Sequence, residues 1–320
     1  MNRLPRIEHL GPEHSGWGFF LCTHKEVRVG RTGSEFLILT LQDASGQLPA
    51  KLFDQVDRLK DAFDAGEFVR VEGRGSLYQG RLELALSAIR RVNPDQDRLQ
   101  GFREDDCVLS APRSIDEMWN ELNGHIQGIA DPHLRVLVAR IVADHESQLK
   151  EWPAAQQIHH AYRGGFLEHV LKVTDLVRLL ARAYDAREDL LIAGAVLHDI
   201  GKLQELAYEA GTTAYTRDGN LVGHIGLGLI LVRETAHGIA GFPAELRGEL
   251  EHLVVSHHGS REHGSPVEPK TVEAFILATA DDLDATINQV RRAIAEDVSG
   301  DEFTTWHKRL GRVLYRGKQA

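Results

Sequence analysis

The chain has 320 residues, 42% of them hydrophobic and 26% charged, with a formal net charge of −10. The composition is ordinary for a globular protein, and the length exceeds what one small core organises, so two domains are expected. No window approaches the roughly 18 uncharged apolar residues of a membrane span, so no membrane partner is expected. MNRLPRIEHLGPEHSGWG has no apolar core and does not read as a secretory signal. The two cysteines, Cys22 and Cys107, form no CxxC pair, which argues against zinc ribbons and disulfide frameworks and for a reducing, cytoplasmic setting.

The acidic balance is uneven. Residues 1–100 carry 14 basic and 14 acidic side chains, leaving 23 basic and 33 acidic in the rest. Net charge does not exclude a nucleic-acid partner, because divalent cations held in an acidic domain invert the local field.

From about residue 16 to 92 the texture is β-like, with strands predicted over 19–29, 35–41, 48–53, 67–72 and 81–89. Leu37, Leu39 and Leu41 alternate with Phe36, Ile38 and Thr40, the period of a half-buried strand. Asp43-Ala44-Ser45-Gly46 and Tyr78-Gln79-Gly80 supply turn residues. Val56, Leu59 and Phe63 fall at helical spacing between the third and fourth strands. Five strands with a helix in that slot match the OB-fold, whose face over strands two and three binds oligonucleotides. Phe36, Lys51 and Phe53 are the candidates for that face, though the two rings equally suit a core and the lysine a solvated surface.

Residues 93–113 are polar and proline-containing and read as a linker, with the domain boundaries set at 1–100, 101–113 and 114–320. Beyond it the period is helical. Ser114-Ile115-Asp116-Glu117 has a helix-start pattern, Pro132 opens a helix through Leu149, and further helices are predicted near 166–185, 188–198, 223–238, 244–256 and 270–296. Few strand signals occur, so this half is expected to be all-α, closing with a short helix and a basic tail over 301–320.

Within these apolar helices stand His169, the pair His198-Asp199, His224, the pair His257-His258, and Asp281. Such side chains are costly to bury unless they are paired or coordinate a metal. Adjacent residues on a helix point apart, so one ion takes both members of His198-Asp199 only if the helix ends there, and Gly201 offers the break. A mixed imidazole and carboxylate set suits Mn²⁺, Fe²⁺ or Mg²⁺ better than structural zinc. Gly164-Gly165 lacks Walker spacing, HHGSREH is not HExxH, and no Gly-x-Ser-x-Gly string occurs.

The arrangement of His169, His198-Asp199 and Asp281 resembles the HD-domain metal-dependent phosphohydrolases, and the extra histidines resemble their two-metal branch. Residues 11–320 resemble the YhaM-type 3′→5′ exoribonuclease family, which joins an OB-fold to an HD domain. The strings that carry the resemblance are HHAYRGGFLEH (159–169), AGAVLHDIGK (193–202), DGNLVGHIGLG (218–228), SHHGSREHGSP (256–266) and DDLDA (281–285). Val170 departs from the hydroxyl residue common after the lone histidine.

The resemblance implies a first metal held by His169, His198, Asp199 and Asp281. It implies a second held by His224 with His257, His258 or both, His257 being preferred. It also implies Lys202 on a phosphate oxygen, and His159 and His160 as candidate proton donors to the leaving oxygen. The implied cofactors are two divalent ions, Mn²⁺ first, with Fe²⁺, Mg²⁺ or Co²⁺ as alternatives. The implied partner is single-stranded RNA, with single-stranded DNA not separated from it, and a homo-oligomer is compatible with the chain. Two other readings remain at this level. One is an HD-type nucleotide or cyclic-dinucleotide phosphohydrolase whose OB half serves assembly, disfavoured in its cyclic-di-GMP form by the lack of a GYP string. The other is a non-catalytic single-strand-binding protein.

Overall fold

The structure is a computed structural model that describes residues 2–30, 33–78, 80–154, 162–209, 212–297, 299 and 301–317. His159, His160 and Gln79 lie outside the described residues. The chain divides into two units, Met1–Ser110 with Tyr208–Thr212, and Ala111–Ala207 with Thr213–Ala320. No helix among the described residues is long and apolar enough to cross a membrane.

The first unit is an OB-fold. Strands β1 (Ser15–Val29), β2 (Glu35–Asp43), β3 (Gly46–Leu52), β4 (Glu67–Tyr78) and β5 (Arg81–Arg91) close a barrel in the order β1-β2-β3-β5-β4. The short helix α1 (Val56–Leu59) lies between β3 and β4, the slot read from the sequence. Leu37, Leu39 and Leu41 point into the barrel and are fully buried, as their period of two requires. Their partners across the sheet, Leu52, Ala50 and Leu48, fill the same interior. Asp43 pins the β2–β3 turn by accepting from the Ser45 and Gly46 amides at 2.8 and 3.1 Å.

Residues 101–113 are not the plain linker expected. Helix α2 (Pro94–Asp97) follows β5 directly, and Phe102 and Cys107 are buried with Phe19, Leu21 and Val92 on the outside of the barrel. Three apolar side chains in this stretch (Phe102, Cys107, Val108) outweigh its polar composition, because each removes its surface from water. Asp97, with no exposed side-chain surface, takes both Arg90 guanidinium nitrogens at 2.6 and 2.7 Å and locks the segment in place.

The second unit is helical. It comprises α3 (Ile115–Gln127), α4 (Pro132–Asp144), α5 (Glu146–Glu151), α6 (Gly165–Tyr184), α7 (Glu188–Leu197), α8 (Lys202–Glu205), α9 (Arg217–His237), α10 (Ala244–Ser256) and α11 (Val272–Glu296). Every residue from Leu190 to Leu197 is buried, so α7 is the central helix, with α3, α4, α6, α10 and α11 packed around it. The single helix expected from Pro132 to Leu149 breaks at His145, whose Nδ1 donates to the Ile141 carbonyl at 2.9 Å.

Two features depart from the all-α expectation. Strands β6 (Leu206–Glu209) and β7 (Thr212–Tyr215) pair as a two-stranded sheet. Residues 303–315 form a β-ribbon rather than a helix, with bridges Phe303↔Tyr315 and His307↔Arg312. β-Branched and aromatic residues in both segments favour extended backbone, and that local preference outweighs the helical period of the surrounding chain.

Candidate metal centre

The buried histidines and aspartates meet inside the helical unit in two donor groups. One is His169, His198 and Asp281; the other is Asp199, His224, His257 and His258; the donor atoms of each group lie within 4.8 Å of one another. His169 and His198 are wholly buried, and His257 and Asp199 nearly so.

Helix ends place the doublets. Helix α7 stops at Leu197, one residue short of the predicted end at 198, and His198–Gly201 form a tight turn before α8. His198 keeps helical dihedrals and the chain tightens to three-residue hydrogen bonds from Ile200 on, and both side chains are buried in the interior. His257-His258 repeats the arrangement at the end of α10, with His257 as its cap residue. Asp281 and Asp284, one turn apart on α11, grip the two nitrogens of His169. Asp281 Oδ1 lies 3.2 Å from Nε2, and Asp284 Oδ2 lies 2.8 Å from Nδ1. Asp282 is exposed on the opposite side of that turn.

Two glycines position His224. A Cβ on Gly201 would stand 2.0 Å from the His224 carbonyl oxygen and 2.5 Å from the Gly228 nitrogen, so α9 lies directly on the α7–α8 turn. Helix α9 also kinks at Gly223, whose φ of 75° and ψ of 159° suit glycine alone. The kink frees the His224 amide, and Glu205 accepts both that N–H and the ring Nδ1–H, each at 3.0 Å.

Asp199 joins the two groups. Its Oδ2 faces His198 Nε2 at 3.4 Å and His169 Nε2 at 3.6 Å, while its Oδ1 faces His224 and His257 Nε2, both at 3.5 Å. Lys202 Nζ sits 2.5 Å from Oδ2. The other ring nitrogens are tied off: His198 Nδ1 donates to the Ala195 carbonyl at 2.8 Å, His257 Nδ1 to Val254 at 2.7 Å, and His258 Nδ1 to His263 at 2.9 Å. Each ring is thereby fixed with Nε2 as the inward lone pair, the tautomer a metal ligand needs.

The fit to cations rests on orphaned atoms. Asp199 Oδ1, His224 Nε2 and His257 Nε2 are buried and have no hydrogen-bond partner among the described residues. Three such atoms converging on one point are costly unless a cation satisfies them. Electrostatics agree for Asp199, Asp281, His257 and His258, whereas at His169 burial is outweighed by Asp281 and Asp284, which push the imidazole up to about 9, so that ring gives up a proton when it ligates. Burial pushes the Asp199 carboxyl up, but the Lys202 ammonium holds it well below the usual carboxylate range. Burial pushes Asp281 the same way, and its hydrogen bond with His169 outweighs that push and keeps it ionised. Burial pushes the His257 imidazole down, and together with the neighbouring His257 it pushes His258 down to about 4, so both stay neutral and able to ligate.

The structure thus brings together His169, His198, Asp199, Lys202, His224, His257, His258 and Asp281. It groups His258 with His257 rather than choosing between them. Two further carboxylates support the rings. Asp284 stands in the same acidic run as Asp281, and spacing and family pattern favour Asp281 over it; Glu205, nineteen positions before His224, carries no local signal, and sequence reasoning misses it.

A third group, Glu121, His125 and Asp175, has different chemistry. Arg178 donates to His125 Nδ1 at 3.1 Å. The ring proton of neutral His125 is therefore on Nε2, the atom nearest Asp175, and no lone pair remains there for a metal. The cysteines are likewise inert, since burial pushes the Cys22 thiol up to about 11 and Cys107 up to about 12.

On the barrel, Phe36 and Phe53 face each other across β2 and β3, stacked with centroids 5.3 Å apart, and Phe53 is exposed. Lys51 lies on the same outer face, but its ammonium is 2.6 Å from Glu83 and 4.1 Å from the Tyr78 ring. The lysine's charge is already compensated.

Fold and site define an OB-fold joined to an HD-type phosphohydrolase. Residues 166–286 match the HD domain family, and residues 23–92 match the OB-fold nucleic acid binding domain family. The 3′-5′ exoribonuclease YhaM of Bacillus subtilis (strain 168) is 35% identical over 277 residues, covering 86% of each chain. The enzyme of the same name from Halalkalibacterium halodurans is 35% identical over 301 residues, covering 93% of this chain and 92% of its own. The chain belongs to the YhaM family of 3′-5′ exoribonucleases.

Proposed function

We propose that this chain is a metal-dependent 3′→5′ exoribonuclease that hydrolyses single-stranded RNA to 5′-mononucleotides. His169, His198, Asp199 and Asp281 hold one divalent cation, and Asp199, His224, His257 and His258 hold a second. The observation that carries this reading is the set of orphaned buried donor atoms meeting at Asp199, in a chain whose relatives carry the exoribonuclease name. Imidazole and carboxylate donors in this mixture fit Mn²⁺ best, with Fe²⁺, Mg²⁺ and Co²⁺ also matching the set. When bound, such ions acidify water and polarise phosphoryl oxygens.

The chain's own groups do the rest. Asp199 presents one oxygen to each donor group and orients what lies between them. Burial draws the Lys202 ammonium toward its neutral form, but the attraction of Asp199 outweighs that penalty and the lysine remains charged. It is placed to offset charge gathering on a phosphoryl oxygen. Asp284 and Glu205 hold the His169 and His224 rings in register. The OB barrel holds the strand upstream, with Phe36 and Phe53 offering ring faces to bases and Lys51 flanking them. The setting that suits this chemistry is the cytoplasm.

The test is incubation of the full chain with 3′- and 5′-labelled single strands of RNA and DNA in Mn²⁺ and in EDTA. The 3′ label should leave at once as a mononucleotide, the 5′-labelled strand should shorten progressively, and EDTA should stop both. Release that starts from the 5′ end, or an undiminished rate in EDTA, rejects the reading.

A further inference from the structure

The ribbon that follows α11 has a composition the metal centre does not use. Its two edges are held by paired backbone bonds, Thr304 N–H to Leu314 at 2.8 Å, His307 N–H to Arg312 at 3.0 Å and Arg316 N–H to Glu302 at 2.8 Å. Asp297 ties the ribbon to the end of α11. It accepts from the Thr305 amide at 2.8 Å and from the Arg316 guanidinium at 2.9 Å. Hydrogen bonds from Ser299 and Thr305 keep the Asp297 carboxyl below the usual carboxylate range.

The two faces of the ribbon differ. Thr304 and Leu314 are buried on the inner face. Phe303, Trp306 and Tyr315 are 50%, 63% and 60% exposed, and the Phe303 and Tyr315 rings pack with centroids 5.3 Å apart. The tip carries Lys308, Arg309 and Arg312, all exposed. Among the described residues no carboxylate lies within ion-pair distance of any of the three. Arg312 Nε donates to the Leu310 carbonyl at 2.9 Å, which fixes its guanidinium at the tip. Residues 101–320 carry 33 acidic against 23 basic side chains, so unpaired cations beside exposed rings stand out against their surroundings.

We infer that this ribbon, residues 303–315, is a binding platform for single-stranded RNA, its rings stacking on bases and Lys308, Arg309 and Arg312 meeting phosphates. The inference rests on the exoribonuclease reading for the identity of the polyanion. Exposed aromatic faces interleaved with cations are what sequence-tolerant single-strand binding requires, because every base has a π-face and every nucleotide a phosphate. A polyanion satisfies all three cations and the rings together, which an apolar face on another protein would not.

The full chain in EDTA, where turnover stops, is mixed with a thiouridine-substituted single strand, irradiated and digested. Crosslinks on the peptides that carry Trp306 and Tyr315 are expected; crosslinks confined to other segments overturn the proposal. In parallel, Lys308→Gln/Arg309→Gln/Arg312→Gln should lower the slope of log affinity against log salt by about 2, since each phosphate neutralised on a single strand contributes about 0.7. Trp306→Ala should weaken binding of a long strand at least about fivefold. Cleavage of a dinucleotide should be unchanged in both variants. An unchanged salt slope accompanied by a shift in sedimentation would mean that the ribbon joins two copies of the chain, and the proposal fails while RNA cleavage stands. A wild-type chain that neither binds nor shortens RNA would instead strike the exoribonuclease reading itself.

Discussion

Gly201→Ala is the sharpest single substitution this structure offers. The added methyl would stand 2.0 Å from the His224 carbonyl oxygen and 2.5 Å from the Gly228 nitrogen. Both are backbone atoms of α9, so no side chain can swing aside. Comfortable separation is near 3.5 Å, so α9 must retreat by roughly 1.5 Å at the His224 carbonyl. His224 travels with it, and the 3.5 Å separation between its Nε2 and Asp199 Oδ1 widens. Overpacking of this kind costs about 1–3 kcal/mol of stability. A functional group misplaced by about an ångström costs on the order of 10²-fold in rate. The control is Gly248→Ala, in exposed helix where a Cβ meets nothing within 4 Å. It should stabilise by about 0.4–1 kcal/mol, by narrowing the unfolded ensemble. Thermal melts and initial rates of RNA shortening on both proteins decide the matter. A Gly201→Ala protein with wild-type melting and wild-type rate would refute the packing argument.

Asp199→Asn keeps the shape of the side chain and removes its charge. It should abolish RNA hydrolysis with little change in far-ultraviolet circular dichroism, and retained turnover would count against Asp199 as the shared group. Asp284→Asn and Glu205→Gln should each weaken metal affinity about 10–100-fold by loosening the His169 and His224 rings; calorimetric titration with Mn²⁺ reads this, and unchanged affinity in both would sink the supporting role. In the barrel unit, the Arg90 guanidinium outweighs burial and holds Asp97 below the usual aspartate range. Its stabilisation is therefore full above the unfolded value of about 3.9 and is lost as pH falls through the depressed folded value. Asp97→Asn should cost about 1.5–3 kcal/mol at neutral pH and flatten the acid limb of the stability profile. An unaltered acid limb in that variant would show that the pair contributes nothing.

Much of this molecule is legible in its residues because local and global signals coincide. The alternation of Leu37, Leu39 and Leu41 reports a barrel strand directly, since each of the three is fully buried. The helix ends at Leu197 and Ser256 are signalled by ionisable doublets that a continuing helix could not bury together. What stays hidden depends on distant chain. Glu205 orients His224 only because α8 and the kinked start of α9 pack together, and neither a period nor a spacing encodes that. The 101–113 segment reads as linker because polar residues dominate it, although Phe102 and Cys107 anchor it to the barrel wall. Sequence alone leaves the Lys51 ammonium free for a phosphate, whereas Glu83, two strands later, neutralises it. The 303–315 ribbon reads as helix because a basic composition says nothing about backbone; Trp306, Val313 and Tyr315 carry the extended preference that prevails there.

The proposed catalysis depends on two donor groups sharing one carboxylate. The most direct measurement is anomalous diffraction from crystals of the full chain equilibrated with Mn²⁺. Two peaks are expected, one among His169, His198 and Asp281 and one among His224, His257 and His258, with Asp199 touching both. A single peak remote from Asp199, or none at saturating Mn²⁺, would contradict the account.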